Sequence, residues 1–310
     1  MFRPVDVAGI RCPNNVFLAP LAGYTNYPFR RLCRSLGAGL TYTEMVSAKG
    51  LHFGSGETAK LLYCGNESPK AAQIFGSEPE IMREACASEL LAPYDFIDIN
   101  MGCPMPKIIR NGDGSALMEN PKLAEKVIAA CVKSGKRVSV KFRTGVTEEN
   151  KTTAEFARMC EGAGACMVTV HGRTREMVYA GAPDYEEIAA AKRAVKIPVF
   201  ANGGIWSRKD AEKMIARTGA DGVMIARAAL YRPQVFCEFS EIVPAPMKEL
   251  FLAQLQETEE LFGERFATVF MRKMAAFYLK GARGAAEYKR RLFAAESVSA
   301  VRELAEEVFE

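Results

Sequence analysis

The chain has 310 residues, of which 49% are hydrophobic and 25% charged, and its formal net charge is +4. This composition excludes a disordered or fibrous protein and allows a large buried core, while the net charge is too small to name a partner by itself. No run reaches the ~18 apolar residues of a membrane span, and the opening Met1-Phe2-Arg3-Pro4-Val5-Asp6 has no apolar leader stretch, so a cytoplasmic protein is expected.

Short apolar, β-rich runs alternate with amphipathic stretches along most of the chain, the pattern of repeated strand–helix units around a parallel sheet. The candidate strands are Val16–Pro20, Leu40–Thr43, Ala71–Phe75, Phe96–Asn100, Val138–Phe142, Met167–His171, Val199–Ala201 and Gly222–Ile225. Eight units predict an α/β fold closed as a TIM (β/α)8 barrel rather than an open sheet. Helix starts are marked at Ser77-Glu78-Pro79-Glu80 and at Asn120-Pro121, where a capping side chain precedes a proline in the first turn. After Pro244-Ala245-Pro246 the strands stop, and Leu250, Leu255, Leu261 and Phe262 follow helical spacing. The predicted division is a barrel over 1–243 and a small all-helical domain over 244–310.

Nine cysteines with no Cys-x-x-Cys pair argue for free thiols, against a disulfide framework and against structural zinc. With only His52 and His171 available, no metal site is expected. Gly54-Ser55-Gly56-Glu57-Thr58-Ala59 fits a dinucleotide-binding pattern on paper but follows no strand, so it reads as a loop, and His52 beside it as a structural or surface histidine.

In a TIM barrel the active site gathers at the carboxyl ends of the strands. Pro20-Leu21-Ala22-Gly23, Gln73, Asn100, Lys141 with Arg143, His171-Gly172-Arg173, Asn202-Gly203-Gly204 and Ala226-Arg227 all fall there. Each alone reads as a polar loop; together they indicate a ligand. The last two follow strands seven and eight, the usual phosphate site of such barrels, where glycine backbone and arginine suit an anion. Farther on, eight basic residues between Arg265 and Arg291 face the single acid Glu287 and interleave with Phe266, Phe270, Phe277, Tyr278 and Tyr288. Composition alone fits a solvated helix face as well as an RNA-binding surface.

Five motifs then carry a family resemblance: Ala19-Pro20-Leu21-Ala22-Gly23-Tyr24-Thr25-Asn26 with Phe29-Arg30, Asp98-Ile99-Asn100-Met101-Gly102-Cys103-Pro104, Gly112-Asp113-Gly114-Ser115-Ala116-Leu117, Lys141-Phe142-Arg143-Thr144-Gly145, and His171-Gly172-Arg173-Thr174-Arg175. In this order, and continued by Met271-Arg272-Lys273 and Tyr278-Leu279-Lys280-Gly281, they resemble the bacterial tRNA-dihydrouridine synthases.

The resemblance implies FMN as cofactor, NADPH as reductant and a uridine in folded RNA as substrate, tRNA first and ribosomal RNA as the alternative. It matches Pro20, Leu21, Ala22, Gln73, Lys141, His171, Asn202, Gly203, Gly204, Ala226 and Arg227 to flavin-contacting positions. A lysine beside a flavin ring can also be argued on chemistry alone, since it stabilises the negative charge of the reduced form. Cys103 matches the family's proton donor. Asn100 matches a residue that positions the uracil, and Lys107, Arg143, Arg272 and Lys273 are further candidate RNA contacts.

Two positions depart from the family. Ala226-Arg227 stands where Gly-Arg is usual, and Met274 follows Lys273 where a histidine is frequent. The first implies weaker or shifted phosphate binding, and the second leaves open which RNA position is contacted. Rival readings are an FMN barrel acting on a free small molecule, which would not need the basic helices, and an RNA-binding protein with a silent barrel, which would not need Cys103, Asn100 and Lys141 together.

Overall fold

A computed structural model describes residues 1–309. Its centre is a parallel barrel of eight strands: Val16–Leu18, Thr41–Ser47, Lys70–Phe75, Phe96–Met101, Val138–Arg143, Met167–His171, Val199–Asn202 and Gly222–Ile225. From the second strand on each pairs with its sequence neighbour, and the last pairs with the first. At the remaining seam, between the first and second strands, Gly39 N donates to Val16 O at 2.7 Å and Leu18 N to Leu40 O at 2.9 Å. All eight predicted strands are present. The second runs four residues farther than expected, past an irregularity between Tyr42 and Met45.

Alternation sorts the side chains. Val138, Val140 and Phe142 point outward into the main core against the helices, with Ile97 and Ile99 of the neighbouring strand. Phe17, Phe96, Met167 and Phe200 form an inner cluster, Phe17 stacking on Phe200 at 4.1 Å. The sequence reading missed a hairpin, Val5–Val7 paired with Ile10–Cys12, whose Val7 and Cys12 pack on that inner cluster and cover the amino-terminal end of the barrel.

Of the two predicted helix starts, one is capped by a side chain and one is not. Asn120 accepts from Leu123 N at 3.2 Å ahead of the helix Pro121–Val132. The helix Pro79–Ala87 begins at its proline as expected, but its cap residue is Glu78 and no side chain caps it. The Gly54-Ser55-Gly56 stretch is not all loop, because Ser55 caps a one-turn helix, Gly56–Lys60, through Thr58 N. His52 is a surface residue whose Nδ1 lies 2.8 Å from Glu84.

From Met247 on the chain is helical: Met247–Phe262, Glu264–Tyr278, Ala285–Ala294 and Val298–Val308. Phe251, Leu255, Met271 and Met274 of the first two are buried in one continuous core with Leu32 and Cys33 of the barrel's first helix, Tyr27–Ser35. All nine cysteines are free thiols. No helix among the described residues is long and apolar enough to cross a membrane.

Candidate active site

A cavity of about 430 Å³ opens at the carboxyl end of the barrel. Its wall brings together Pro20, Leu21, Ala22, Gln73, Asn100, Cys103, Lys141, Arg143, His171, Asn202, Gly203, Gly204, Ala226 and Arg227. Lys107, on the exposed face of the helix Pro106–Arg110 just past Cys103, lies outside the wall, as do Arg272 and Lys273. Tyr24, Met45, Tyr179, Trp206 and Phe277 also line it and were not expected there, Tyr24 having been named only within a motif and Phe277 only among the aromatics of the basic stretch. Trp206 carried a signal, a lone tryptophan just past Asn202-Gly203-Gly204. Phe277 carried no signal for the cavity, because it arrives on the helix Glu264–Tyr278, well beyond the last strand Gly222–Ile225.

Parallel register sets the polar layers. Gln73 lies opposite Asp98, and Asp98 opposite Ser139. Gln73 Nε2 accordingly donates to Asp98 Oδ2 at 2.7 Å, and Ser139 Oγ to Oδ1 at 2.6 Å. Burial pushes the Asp98 carboxyl up to about 6, against the pull of those two hydrogen bonds and of Lys141. One layer higher, Asn100 Nδ2 donates to Gln73 Oε1 at 2.9 Å, while Asn100 Oδ1 accepts from Gly102 N at 3.1 Å and Cys103 N at 2.9 Å. Asn100 thus shapes the loop that carries Cys103.

The same loop is held by its carbonyls. Ser115 donates to Cys103 O through Oγ at 2.8 Å and through N at 3.1 Å. Arg143 Nε donates to Gly102 O at 2.7 Å, and Arg143 Nη1 to Thr174 O at 2.9 Å and Val178 O at 3.0 Å. Arg143 is buried and committed to backbone, so it orders two loops. The half-buried Cys103 thiol is pushed up by burial, only partly offset by Met105 N–H, Arg143 and Lys141, and stays protonated at neutral pH.

The charge balance is one-sided. Lys141, opposite Asn100 in the register, makes no ion pair or side-chain hydrogen bond among the described residues, and burial and Arg143 pull it down to about 8. His171 is buried among Lys141, Arg143, Arg173 and Arg227 and is held well below its usual range, by burial first, so it is neutral. Gly203 has φ of +117°, and a Cβ there would meet His171 Cδ2 at 2.9 Å and Arg173 Nη1 at 3.2 Å. Gly204 follows at φ +67°. Only glycine fits this turn beside the cations. The cavity lining thus joins the apolar Pro20, Leu21 and Ala22 to Lys141, Arg143, Arg173 and Arg227, with no carboxylate among its lining residues.

The helical region divides its cations. Arg272 Nη1 donates to Phe293 O at 2.8 Å. Lys273 Nζ donates to Gly23 O, beside Glu44, which accepts from Gly23 N, and lies 4.3 Å from the Tyr24 ring centre. Arg291 pairs with Glu307, and Arg290 with Glu287. Arg265 and Arg283 are exposed without an ion pair among the described residues, and Lys289 is half-buried without one.

Fold and site together define a TIM-barrel protein with a cation-lined cavity beside a loop cysteine. The family model described as dihydrouridine synthase (Dus) matches residues 17–310, and the chain belongs to that family. It is 38% identical to tRNA-dihydrouridine synthase B of Pseudomonas aeruginosa over 297 residues, covering 92% of this chain and 90% of that protein. It is 34% identical to tRNA-dihydrouridine synthase B of Vibrio parahaemolyticus over 298 residues, covering 92% of each. Among solved structures, a variant of NCR from Zymomonas mobilis aligns over 84% of this chain and 96% of its own, at a TM-score of 0.55 and 14% identity. A 6-hydroxypseudooxynicotine amine oxidase from Pseudomonas geniculata aligns over 77% of this chain and 48% of its own, at a TM-score of 0.59 and 13% identity. These two resemblances are of fold.

Proposed function

We propose that this enzyme reduces a uridine of tRNA in the cytoplasm to 5,6-dihydrouridine, with FMN in the barrel cavity and NADPH as the source of electrons. The observation that carries the reading is the convergence of Cys103 and the unpaired Lys141 on one cavity in a chain of the dihydrouridine synthase family. Relatives named tRNA-dihydrouridine synthase B support the choice of tRNA.

Bound FMN would supply the hydride taken up at C6 of the uracil. The chain's part is to hold, orient and protonate. Cys103 holds a proton on Sγ for C5, and its raised pKa keeps that proton in place until charge develops there. Lys141 would set a positive charge beside the ring and so favour its reduced form. Gly203, Gly204, Ala226 and Arg227 would hold the phosphate, and Pro20, Leu21, Ala22, Gln73, His171 and Asn202 would hold the rest of the cofactor. Asn100 and Arg143 shape the uracil end, and exposed Lys107 reaches toward the RNA beside it.

The division of labour is a catalytic barrel over 1–243 and a helical RNA-binding region over 244–310, whose solvent-facing cations meet phosphates. To test the whole reading, purified protein loaded with FMN is mixed with unmodified tRNA transcripts and NADPH, and the nucleosides are analysed by mass spectrometry. Dihydrouridine is expected. Its absence in every tRNA, with free uridine or another small enone oxidising the reduced protein instead, would overturn the assignment.

A further inference from the structure

We propose that Asp98 is a positioning residue for the proton donor, the terminal acceptor of an amide relay through Gln73 and Asn100 that fixes the backbone at Cys103. The functional half of this inference rests on the reading of Cys103 given above; the relay itself does not.

Its polarity follows from groups that have no choice. The backbone N–H groups of Gly102 and Cys103 can only donate, so the Asn100 atom 3.1 and 2.9 Å from them is its oxygen. The Asn100 NH2 must then face Gln73, 2.9 Å away, which must present Oε1. The Gln73 NH2 is left facing Asp98, 2.7 Å away, and an acceptor is required there. Asp98 meets that demand and takes the Ser139 hydroxyl on its other oxygen. Without an acceptor at 98 the Gln73 NH2 is left buried and unpaired, and the untethered Gln73 side chain no longer holds Oε1 against the Asn100 NH2.

A buried carboxylate is costly, and apart from the pull of Lys141 the side-chain partners of Asp98 among the described residues are Gln73 and Ser139, so its hydrogen bonds lead into the relay. The carbonyl side of the Cys103 loop is anchored independently, by Arg143 and Ser115. Loss of Asp98 therefore loosens the N–H side alone.

The test reads amide hydrogen exchange in the 99–105 segment of the ligand-free protein, by mass spectrometry. Asp98→Ala should speed exchange of the Gly102 and Cys103 amides about tenfold, the worth of one hydrogen bond of ordinary strength. Asp98→Asn should exchange like the wild type, because its oxygen can accept from Gln73 while its NH2 donates to Ser139 Oγ. Gln73→Met breaks the relay one link nearer the cavity and should match Asp98→Ala; it keeps the test alive should Asp98→Ala fail to fold. In the FMN-loaded enzyme, Asp98→Ala should slow RNA-driven reoxidation by a similar factor and leave reduction by NADPH near the wild-type rate, and Asp98→Asn should restore the former. Wild-type exchange in both Asp98→Ala and Gln73→Met overturns the relay, as does an Asp98→Asn variant as fast as the alanine. Exchange as expected, in a protein whose flavin no RNA reoxidises, overturns the functional reading and not the relay.

Discussion

The guanidinium of Arg227 lies 4.7 Å from the centre of the Tyr179 ring and 5.6 Å from that of Trp206. No carboxylate among the described residues pairs with it, so the rings hold a cation whose charge remains available. Arg227→Ala should weaken FMN binding by about 1.5–3 kcal/mol, the range of a charge-assisted contact. Riboflavin, which lacks the phosphate, should bind both proteins alike. Arg227→Lys should recover only part of the loss, because an ammonium neither stacks nor forks. Fluorescence titration of the two ligands checks this, and an equal loss for both would place Arg227 elsewhere.

Cys103→Ala should leave FMN binding and reduction by NADPH nearly intact while slowing reoxidation by tRNA roughly 10²–10⁴-fold, the usual worth of a positioned acid. Stopped-flow measurement of each half-reaction separates the two. Reoxidation at the wild-type rate would mean that water or another group delivers the proton. Because burial raises the thiol pKa, wild-type reoxidation should not fall from loss of the thiol proton until pH passes the ordinary cysteine range.

Lys141 is charged at neutral pH against the preference of its surroundings. Its pKa in the folded chain, about 8, lies below the ~10.4 of an unfolded one. Between those values the unfolded state binds more protons, so stability rises with pH, and the penalty is full only below about 8. Ligand-free Lys141→Met should therefore melt above the wild type at pH 7, on the order of 2–5 °C for a chain of this size, and the gap should close toward pH ~10.4. The same variant should bind FMN less tightly. Calorimetry across pH tests the sign; a gap that widens with pH would contradict it.

Arg272 and Lys273 are bound within the chain, to Phe293 and Gly23, whereas Arg265, Arg283 and Lys289 carry unpaired charge. Charge reversal at Arg265, Arg283 and Lys289 should weaken tRNA binding and lower the slope of log K against log salt by about 2–3, one phosphate each. Reversal at Arg272 and Lys273 should also lower the melting temperature. Unchanged binding in the triple variant would leave the exposed cations as a solvated face.

The barrel was legible because each strand is a compact apolar run closed by a turn, and its site because parallel strands end their side chains on one rim. Asn100, Lys141 and His171 could thus be placed from position alone. The hairpin at Val5–Cys12 was not, since three-residue strands show no period and its turn, Ala8 at φ +50° and Gly9 at φ +81°, lacks the usual Asn-Gly. Tyr179 and Phe277 were hidden because they reach the cavity through tertiary packing. The relay needed register: Gln73, Asp98 and Ser139 are scattered in sequence and adjacent only across three paired strands.

The chain's single tryptophan, Trp206, stands in the cavity wall, within 5.6 Å of both Arg227 and the Tyr231 ring. All of its indole emission therefore originates at the rim of one site. With excitation past the tyrosine band that light carries no background from the rest of the fold, so a colour-bearing ligand or a stacking base announces itself, without any label, as quenching whose amplitude counts occupied sites.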